Sequence, residues 1–241
     1  IPATYYCTHS IAPVMYITDT RPVAVNGFAI PYDYQDPVVT ETMRRGDTAA
    51  VIICKMNNDA VVKSLHGGLR GHGNYTRIHG NKGVMENARH GDKQRLRVWY
   101  EPWEKRKSTP VETVYKPDFP LHHNEATHAG HGGGDFFTSY YFSKAIRTNE
   151  QPYLDVYRGI DMSIAGIQAW RSALNDSTSM EIPDFRKESV RLKYANDHWS
   201  PDPNRKNENQ PLPSVLGNIE PTNSAKKRAN RIWKNVGYEE P

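Results

Sequence analysis

The sequence predicts an α+β protein in which helices cover one face of an open, largely antiparallel sheet. Runs rich in β-branched and aromatic residues follow one another through the first half of the chain and are joined by short turns. Short connections favour antiparallel pairing, because parallel neighbours need crossovers of a dozen residues or more. Two helical patterns in the second half of the chain can pack on that sheet.

The chain begins with a polar and aromatic stretch that leads into a short helix. Ser10 is a residue type that caps helices well, so a helix is expected over residues 11–17. Tyr6 and His9 are then expected on the loop before that helix. The β-branched run 23–30 predicts the first strand.

Five more strands and a long loop are expected next. Alternating and β-branched patterns predict strands over residues 48–56, 60–69, 75–79, 84–87 and 95–100. Residues 101–129 are rich in proline and charge, which indicates a long irregular loop. Loops of that length in a compact domain are often functional.

A glycine-rich loop, Gly130-His131-Gly132-Gly133-Gly134-Asp135, follows this irregular stretch. Asp135 is expected to be the N-cap of a helix over residues 136–147. Further helices are predicted over residues 156–174 and 222–236, and the chain from Glu181 to the last helix is expected to be extended and polar. The loop does not match a dinucleotide fingerprint, because Asp135 takes the third glycine position and no apolar strand precedes it.

Composition argues against several classes of partner. The net charge of +4 comes from 31 basic and 27 acidic residues, an excess too small to indicate nucleic-acid binding without a concentrated patch. No stretch approaches the roughly 20 apolar residues of a membrane span. Two cysteines match neither a disulfide framework nor a zinc pattern. The sequence therefore predicts no nucleic-acid or membrane partner, and it leaves the compartment open.

Four side chains are the candidates for chemistry: Tyr6, His9, His131 and Asp135. A tyrosine and a histidine three residues apart can exchange a proton with a substrate hydroxyl, since histidine titrates near neutrality. The glycines around His131 and Asp135 allow close approach by a hydroxyl-rich ligand. His131 and Asp135 are therefore expected to bind this ligand in the cavity that Tyr6 and His9 also face. The simpler interpretation makes Tyr6 and His9 structural and the loop a turn with a capping aspartate.

A metal site is the weaker alternative for the histidines. His122, His123, His128 and His131 lie close together in the sequence. Zinc sites usually add cysteine or carboxylate ligands at tighter spacing, so no metal site is predicted.

Several motifs together resemble a known family. The resemblance is carried, in this order, by Tyr6-Cys7-Thr8-His9-Ser10-Ile11-Ala12-Pro13, Arg21-Pro22-Val23, the glycine-rich loop, Asp155-Val156-Tyr157 and Met180-Glu181-Ile182-Pro183-Asp184-Phe185. These motifs are similar to those of the C-terminal domain of Gfo/Idh/MocA-family oxidoreductases. The chain most closely resembles the branch that includes NAD-dependent α-N-acetylgalactosaminidases, whose tyrosine-x-threonine-histidine motif matches Tyr6, Thr8 and His9.

The resemblance implies a mixed sheet with helices on one face and oligomer contacts on the other. Residues 1–241 are then expected to form the substrate-binding and oligomerisation domain of a homo-oligomer that acts on a sugar. NAD(P) would be held mainly by an N-terminal Rossmann domain. No strand–Gly-x-Gly-x-x-Gly–helix unit occurs in the sequence, so that domain is expected from the same precursor or from another chain, and no cofactor-binding residue is assigned. This sequence has Arg158 after Asp-Val-Tyr, where many relatives carry an acidic residue.

Three functions follow from this resemblance. In the first, a sugar hydroxyl is oxidised by NAD(P) while His9, with Tyr6, accepts its proton. In the second, the oxidation is transient: the substituent is eliminated, water adds and the hydride returns, which is glycoside hydrolysis without the usual carboxylate pair. In the third, the chain binds sugar or assembles a complex and has no turnover of its own.

Overall fold

A computed structural model of the protein describes residues 1–69, 75–87, 95–104, 110–201 and 210–238. Its strands are β1 (Pro22–Ile30), β2 (Ala49–Met56), β3 (Val61–Gly67), β4 (Arg77–Gly80), β5 (Gly83–Asn87), β6 (Leu96–Tyr100), β7 (Glu112–Tyr115) and β8 (Met180–Glu181). Its α-helices are α1 (Thr8–Thr18), α2 (Pro37–Thr40), α3 (His123–Thr127), α4 (Gly134–Thr148), α5 (Val156–Ala173), α6 (Glu188–Lys193) and α7 (Asn223–Asn235). Short 3-10 helices cover Ala3–Cys7, Pro102–Glu104 and His131–Gly133.

The predicted fold class is confirmed, because the protein is α+β with antiparallel sheets and helices. The chain divides into two compact units. The first unit comprises Ile1–Gly71 and Val156–Pro241, and the second comprises His72–Asp155. The strands that the sequence predicts as one series therefore belong to two four-stranded sheets, one in each unit.

The first unit is built on a sheet with the strand order β3-β2-β1-β8, in which each neighbouring pair is antiparallel. Val25 of β1 and Ile52 of β2 are fully buried on one face of this sheet. Helix α5 packs against the same core through Ala165 and Ala169. Gly27 permits the close approach of β1 and α5, since a Cβ at this position would collide with the carbonyl group of Ala169.

Helix α1 and the 3-10 helix before it complete this core. Cys7, Ile11 and Met15 are at most 2% exposed and recur every four residues, which places them on one helical face. On the opposite face of the sheet, Phe28 and Leu65 are 43% and 40% exposed. The sheet therefore has one packed face and one open, partly apolar face.

The second unit contains a meander with the strand order β4-β5-β6-β7, together with α3 and α4. Among its described residues, only Ala126 and Gly133 are buried. No residue of the fifteen-residue helix α4 is buried. This unit consists mainly of half-buried and exposed surfaces.

Two expectations about irregular segments were wrong. Residues 101–129 contain β7 and α3, although their proline and charge content predicts a loop. Strand β7 forms because it pairs with β6, with Leu96 opposite Tyr115, and this long-range partner cannot be read from local composition. Helix α6 likewise lies in a tract that the sequence predicts as extended.

The longest described helix is α5, with 18 residues. It carries Arg158, Asp161 and Arg171 in its length. Within the described part of the chain, no helix is both long and apolar enough to cross a membrane.

Candidate functional site

Tyr6 and His9 form a stacked pair on a continuous helical turn. The 3-10 helix ends at Cys7 and α1 begins at Thr8, so the prediction that both residues precede the helix on a loop was wrong. Their ring centroids are 4.2 Å apart and the ring planes differ by 14°. Side chains at i and i+3 are neighbours on a helical turn, which brings the two rings together. Tyr6 is 67% exposed, so the pair is open to a ligand.

The turn beneath this pair is fixed by close packing on α5. A Cβ at Gly166 would lie 2.5 Å from the carbonyl oxygen of Thr4 and 2.9 Å from Cys7 Sγ. The thiol of Cys7 donates to the carbonyl oxygen of Met162 at 3.4 Å. Burial raises the pKa of Cys7 to about 11, so this thiol is neutral at physiological pH and serves packing rather than nucleophilic chemistry.

His9 has one ring nitrogen near its own helix. Its Nδ1 lies 3.4 Å from the hydroxyl of Thr8. In the described structure, Nε2 of His9 makes no hydrogen bond and is available to a ligand. An exposed imidazole stacked on a phenol supplies a base and a hydroxyl donor within one turn of helix.

Ser10 does not cap the helix as predicted. Helix α1 begins at Thr8, three residues before its predicted start at residue 11, and the hydroxyl of Ser10 donates to the carbonyl oxygen of Cys7 at 3.0 Å. Ser10 also contacts Ser64 and His66 of β3, which the sequence analysis missed. The available signal was their spacing, because polar residues two apart fall on the same face of a strand, here the buried face.

His131 and Asp135 form an exposed hydrogen-bonded pair in the second unit. Nδ1 of His131 lies 2.9 Å from Oδ1 and 3.1 Å from Oδ2 of Asp135. The prediction that Asp135 caps the helix was wrong, because Gly133 is the N-cap of α4 and Asp135 lies in the first turn. His131, Gly132 and Gly133 all have positive φ, so the chain reaches the helix through a left-handed turn.

Aromatic side chains extend along α4 from this pair. The ring of Tyr140 lies 4.5 Å from that of His122 and 5.8 Å from that of Phe136. His123 instead pairs with Asp118, with Nδ1 2.7 Å from Oδ1. No group of three metal-binding side chains occurs among the residues that the structure describes.

The four sequence-predicted site residues thus form two pairs. Tyr6 and His9 lie in the first unit, and His131 and Asp135 lie in the second. That all four face one cavity stays a prediction. Arg158 is the residue at which the sequence differs from the resembled family. It forms an ion pair at 3.1 Å with Asp19, which lies just past the end of α1.

Comparison with known proteins gives one family match. Residues 2–191 match the family described as glycosyl hydrolase 109, C-terminal domain. A glycosyl hydrolase family 109 protein of Stenotrophomonas maltophilia (strain K279a) is 28% identical over 109 residues, which cover 45% of this chain and 24% of that protein. The chain therefore spans about a quarter of this curated relative.

Similar solved structures are larger oxidoreductases. An oxidoreductase domain protein from Kribbella flavida has a TM-score of 0.57 and 19% identity, over 75% of this chain and 50% of that one. Levoglucosan dehydrogenase in complex with NADH and L-sorbose has a TM-score of 0.58 and 16% identity, over 76% of this chain and 50% of that one. At these identities the likeness shows the fold, an α+β arrangement that this chain shares with half of each larger oxidoreductase.

Proposed function

Since the chain belongs to the glycosyl hydrolase 109 C-terminal domain family, we propose that it is the sugar-binding catalytic domain of an NAD(P)-dependent carbohydrate enzyme. The observation that carries this proposal is the exposed Tyr6–His9 stack, formed by the motif on which the family resemblance depends. His131 and Asp135 are proposed to bind sugar hydroxyls, because a paired imidazole and carboxylate offer both donors and acceptors.

The glycine-rich loop does not fit the phosphates of a dinucleotide. The glycine-rich loop follows helix α3, whereas a dinucleotide fingerprint opens between a strand and a helix. We therefore assign the cofactor to a Rossmann domain on the same precursor or on another chain. The solved relatives support this assignment, because this chain covers only half of each.

The chain's own residues would move protons. NAD(P), when bound, supplies the hydride transfer. His9 Nε2 would accept the proton of the sugar hydroxyl as its carbon is oxidised, and the Tyr6 hydroxyl would hydrogen-bond the same oxygen. The resulting ketone acidifies the adjacent C–H bond, so that proton can pass to solvent while the glycosidic substituent departs and takes up a proton to leave as an alcohol. Water addition and return of the hydride complete a hydrolysis that consumes no cofactor.

This oxidation can have two outcomes. Glycoside cleavage is favoured, because the matched family is a glycosyl hydrolase family. Net dehydrogenation is the second candidate, favoured by fold likeness to sugar dehydrogenases. The third candidate function is sugar binding without any turnover.

The test uses the protein together with a Rossmann domain, p-nitrophenyl α-N-acetylgalactosaminide and free sugars, in deuterated water. Cleavage without net NADH, with deuterium entering the sugar carbon next to the oxidised one, is the expected result. Net NADH without cleavage would show the dehydrogenase instead. If neither occurs while the sugar still binds, the catalytic proposal is wrong.

The chain alone is not expected to bind NAD tightly. Micromolar binding in calorimetry with the 241-residue chain would contradict the assignment of the cofactor to another domain.

The open face of the first sheet is proposed to contact a second copy, through Phe28, Ile53 and Leu65. Light scattering should show a homo-oligomer that Leu65→Lys dissociates. A monomeric wild-type protein would contradict the proposed contact between two copies.

A further inference from the structure

Ser10 of α1 and Ser64 and His66 of β3 form a cluster next to His9 that the proposed reaction does not use. Ser10 Oγ lies 2.6 Å from Ser64 Oγ and 2.6 Å from His66 Nε2. Ser64 Oγ also hydrogen-bonds His66 Nε2. Ser64 and His66 are only 4% and 6% exposed, so water cannot readily substitute for these contacts.

The hydrogen bonds of this cluster have one consistent direction. The hydroxyl of Ser10 donates its single hydrogen to the Cys7 carbonyl oxygen, so it can only accept from its other neighbours. Ser64 then donates to Ser10. His66 Nε2 must in turn carry a hydrogen and donate it. The bonds therefore run from His66 through Ser64 and Ser10 to the carbonyl group of Cys7.

This relay ends at the junction that positions the catalytic pair. Cys7 is the last residue of the 3-10 helix, and Tyr6 and His9 lie on either side of its junction with α1. The other end of the relay is fixed to the sheet, because Ser64 is opposite Ile52 and His66 is opposite Ala50 in the β2–β3 ladder. Strand β3 is thereby tied to the turn that sets the Tyr6–His9 stack.

We infer that His66, Ser64 and Ser10 are positioning residues that hold Tyr6 and His9 in their stacked arrangement through the Cys7 carbonyl. Removing one member leaves buried polar partners unsatisfied and frees the junction to rotate. The inference rests on the proposed function, since the position of His9 affects rate only if His9 moves a proton in the reaction. The stack itself can be observed without any turnover.

The first experiment measures the stack by NMR in the 241-residue chain with labelled histidines. The expected wild-type result is a His66 ring protonated on Nε2 and a nuclear Overhauser effect between the Tyr6 and His9 rings. Ser64→Ala and Ser10→Ala should each weaken that effect. Ser163→Ala is the matched control, because its hydroxyl donates to the Gly159 carbonyl in α5, outside the cluster.

Two NMR results would overturn the inference. One is a His66 ring protonated on Nδ1 alone. The other is an unchanged Tyr6–His9 signal in both folded cluster variants. Neither depends on catalysis, so failure of the relay is distinguishable from failure of the proposed function.

The second experiment is a double-mutant cycle on the protein supplied with its Rossmann domain. Ser10→Ala is expected to lower kcat about tenfold or more, with a smaller effect on KM, because a displacement of about an ångström can cost a hundredfold. In a His9→Ala background the same change should have almost no further effect, because nothing remains to be positioned. Ser10→Thr, which keeps the hydroxyl, should restore part of the rate. Equal losses in both backgrounds would reduce the cluster to a purely structural role and contradict the inference.

Discussion

The two units of the protein support their candidate residues in different ways. In the first unit, the turn carrying Tyr6 and His9 rests on fully buried Cys7 and Ile11. In the second, the helix that carries Asp135 has no buried residue, and the side chains of His131 and Asp135 are 86% and 59% exposed. Tertiary packing therefore fixes the first pair, whereas local backbone geometry fixes the second.

If the proposed function is right, this difference predicts a division of roles. Proton transfer requires a group held to within a fraction of an ångström, and a packed turn supplies that precision. Hydroxyl recognition tolerates more adjustment, because several donors and acceptors can share it. We therefore expect substitutions in the first unit to change rate and stability, and substitutions at the second pair to change ligand affinity.

The largest effect is expected for His9→Ala. Loss of a positioned general base should lower kcat roughly 10²- to 10⁴-fold in the protein supplied with its Rossmann domain. The melting temperature should change little, since His9 is exposed. Steady-state kinetics and thermal unfolding measure the two separately, with the exposed His128→Ala as the control. A near-normal rate would assign His9 a structural role.

Gly166→Ala tests whether packing holds the first pair. The added methyl group would press on Thr4 and Cys7, so a loss of about 1–3 kcal/mol in the free energy of unfolding is expected. Gly159 in the same helix is the matched control, because a Cβ there meets nothing within 4 Å. Gly159→Ala should be neutral or stabilise by up to about 1 kcal/mol. Equal denaturation midpoints for the two variants would show that the close approach is unimportant.

Most strands of both units were predictable from the sequence, since β5 and β6 also lie within a residue of their predicted bounds. Strands β1 and β2 lie within a residue or so of their predicted bounds, because their β-branched patterns coincide with the buried face. Strand β7 was missed because its stability comes from β6. The error at Asp135 has a conformational cause: three successive left-handed residues start the helix at Gly134 and turn the carboxylate towards His131.

The relay of Ser10, Ser64 and His66 shows the limit of sequence reasoning at the site. Because side chains alternate between the two faces of a strand, Ser64 and His66 lie on the same face of β3. Two polar residues on one face are also typical of a face exposed to solvent, so their sequence spacing does not show that they are buried. Only the pairing of β3 with β2 and the packing of α1 reveal that this face is buried. Tyr6 and His9 were found by motif, but their stacking depends on the 3-10 helix, which no local signal predicted.

Alkaline pH should destabilise the first unit before the second. Burial raises the pKa of Cys54 to about 12 and, as noted, that of Cys7 to about 11, both from a usual value of 9.0. The folded state disfavours the thiolates, so this stability is complete below about pH 9 and is lost as pH rises towards 11. Tyr5 adds a loss at higher pH, because burial raises its pKa to about 12.

Amide exchange at pH 8 and pH 10 measures this loss strand by strand. Amide protection in β1 and β2 should fall at pH 10. Cys54→Ala should make this fall smaller, although the contribution of Tyr5 remains in that variant. A fall confined to the second unit would contradict the prediction. The same burial should leave both thiols unreactive towards a disulfide reagent in the folded protein at pH 8.

The smallest change in stability is expected for Asp135→Asn, which separates ligand binding from folding at the exposed pair. Asp135 does not cap α4, and exposed ion pairs contribute at most about 1 kcal/mol, so the melting temperature should barely move. Affinity for the sugar should fall several-fold, because charge-assisted hydrogen bonds are roughly twice as strong as neutral ones. Asp118→Asn is the matched control, since it changes a second exposed histidine–aspartate pair among the described residues of this unit. If both variants bind the sugar equally well in calorimetry, the glycine-rich loop serves as a turn and the sugar hydroxyls are bound elsewhere.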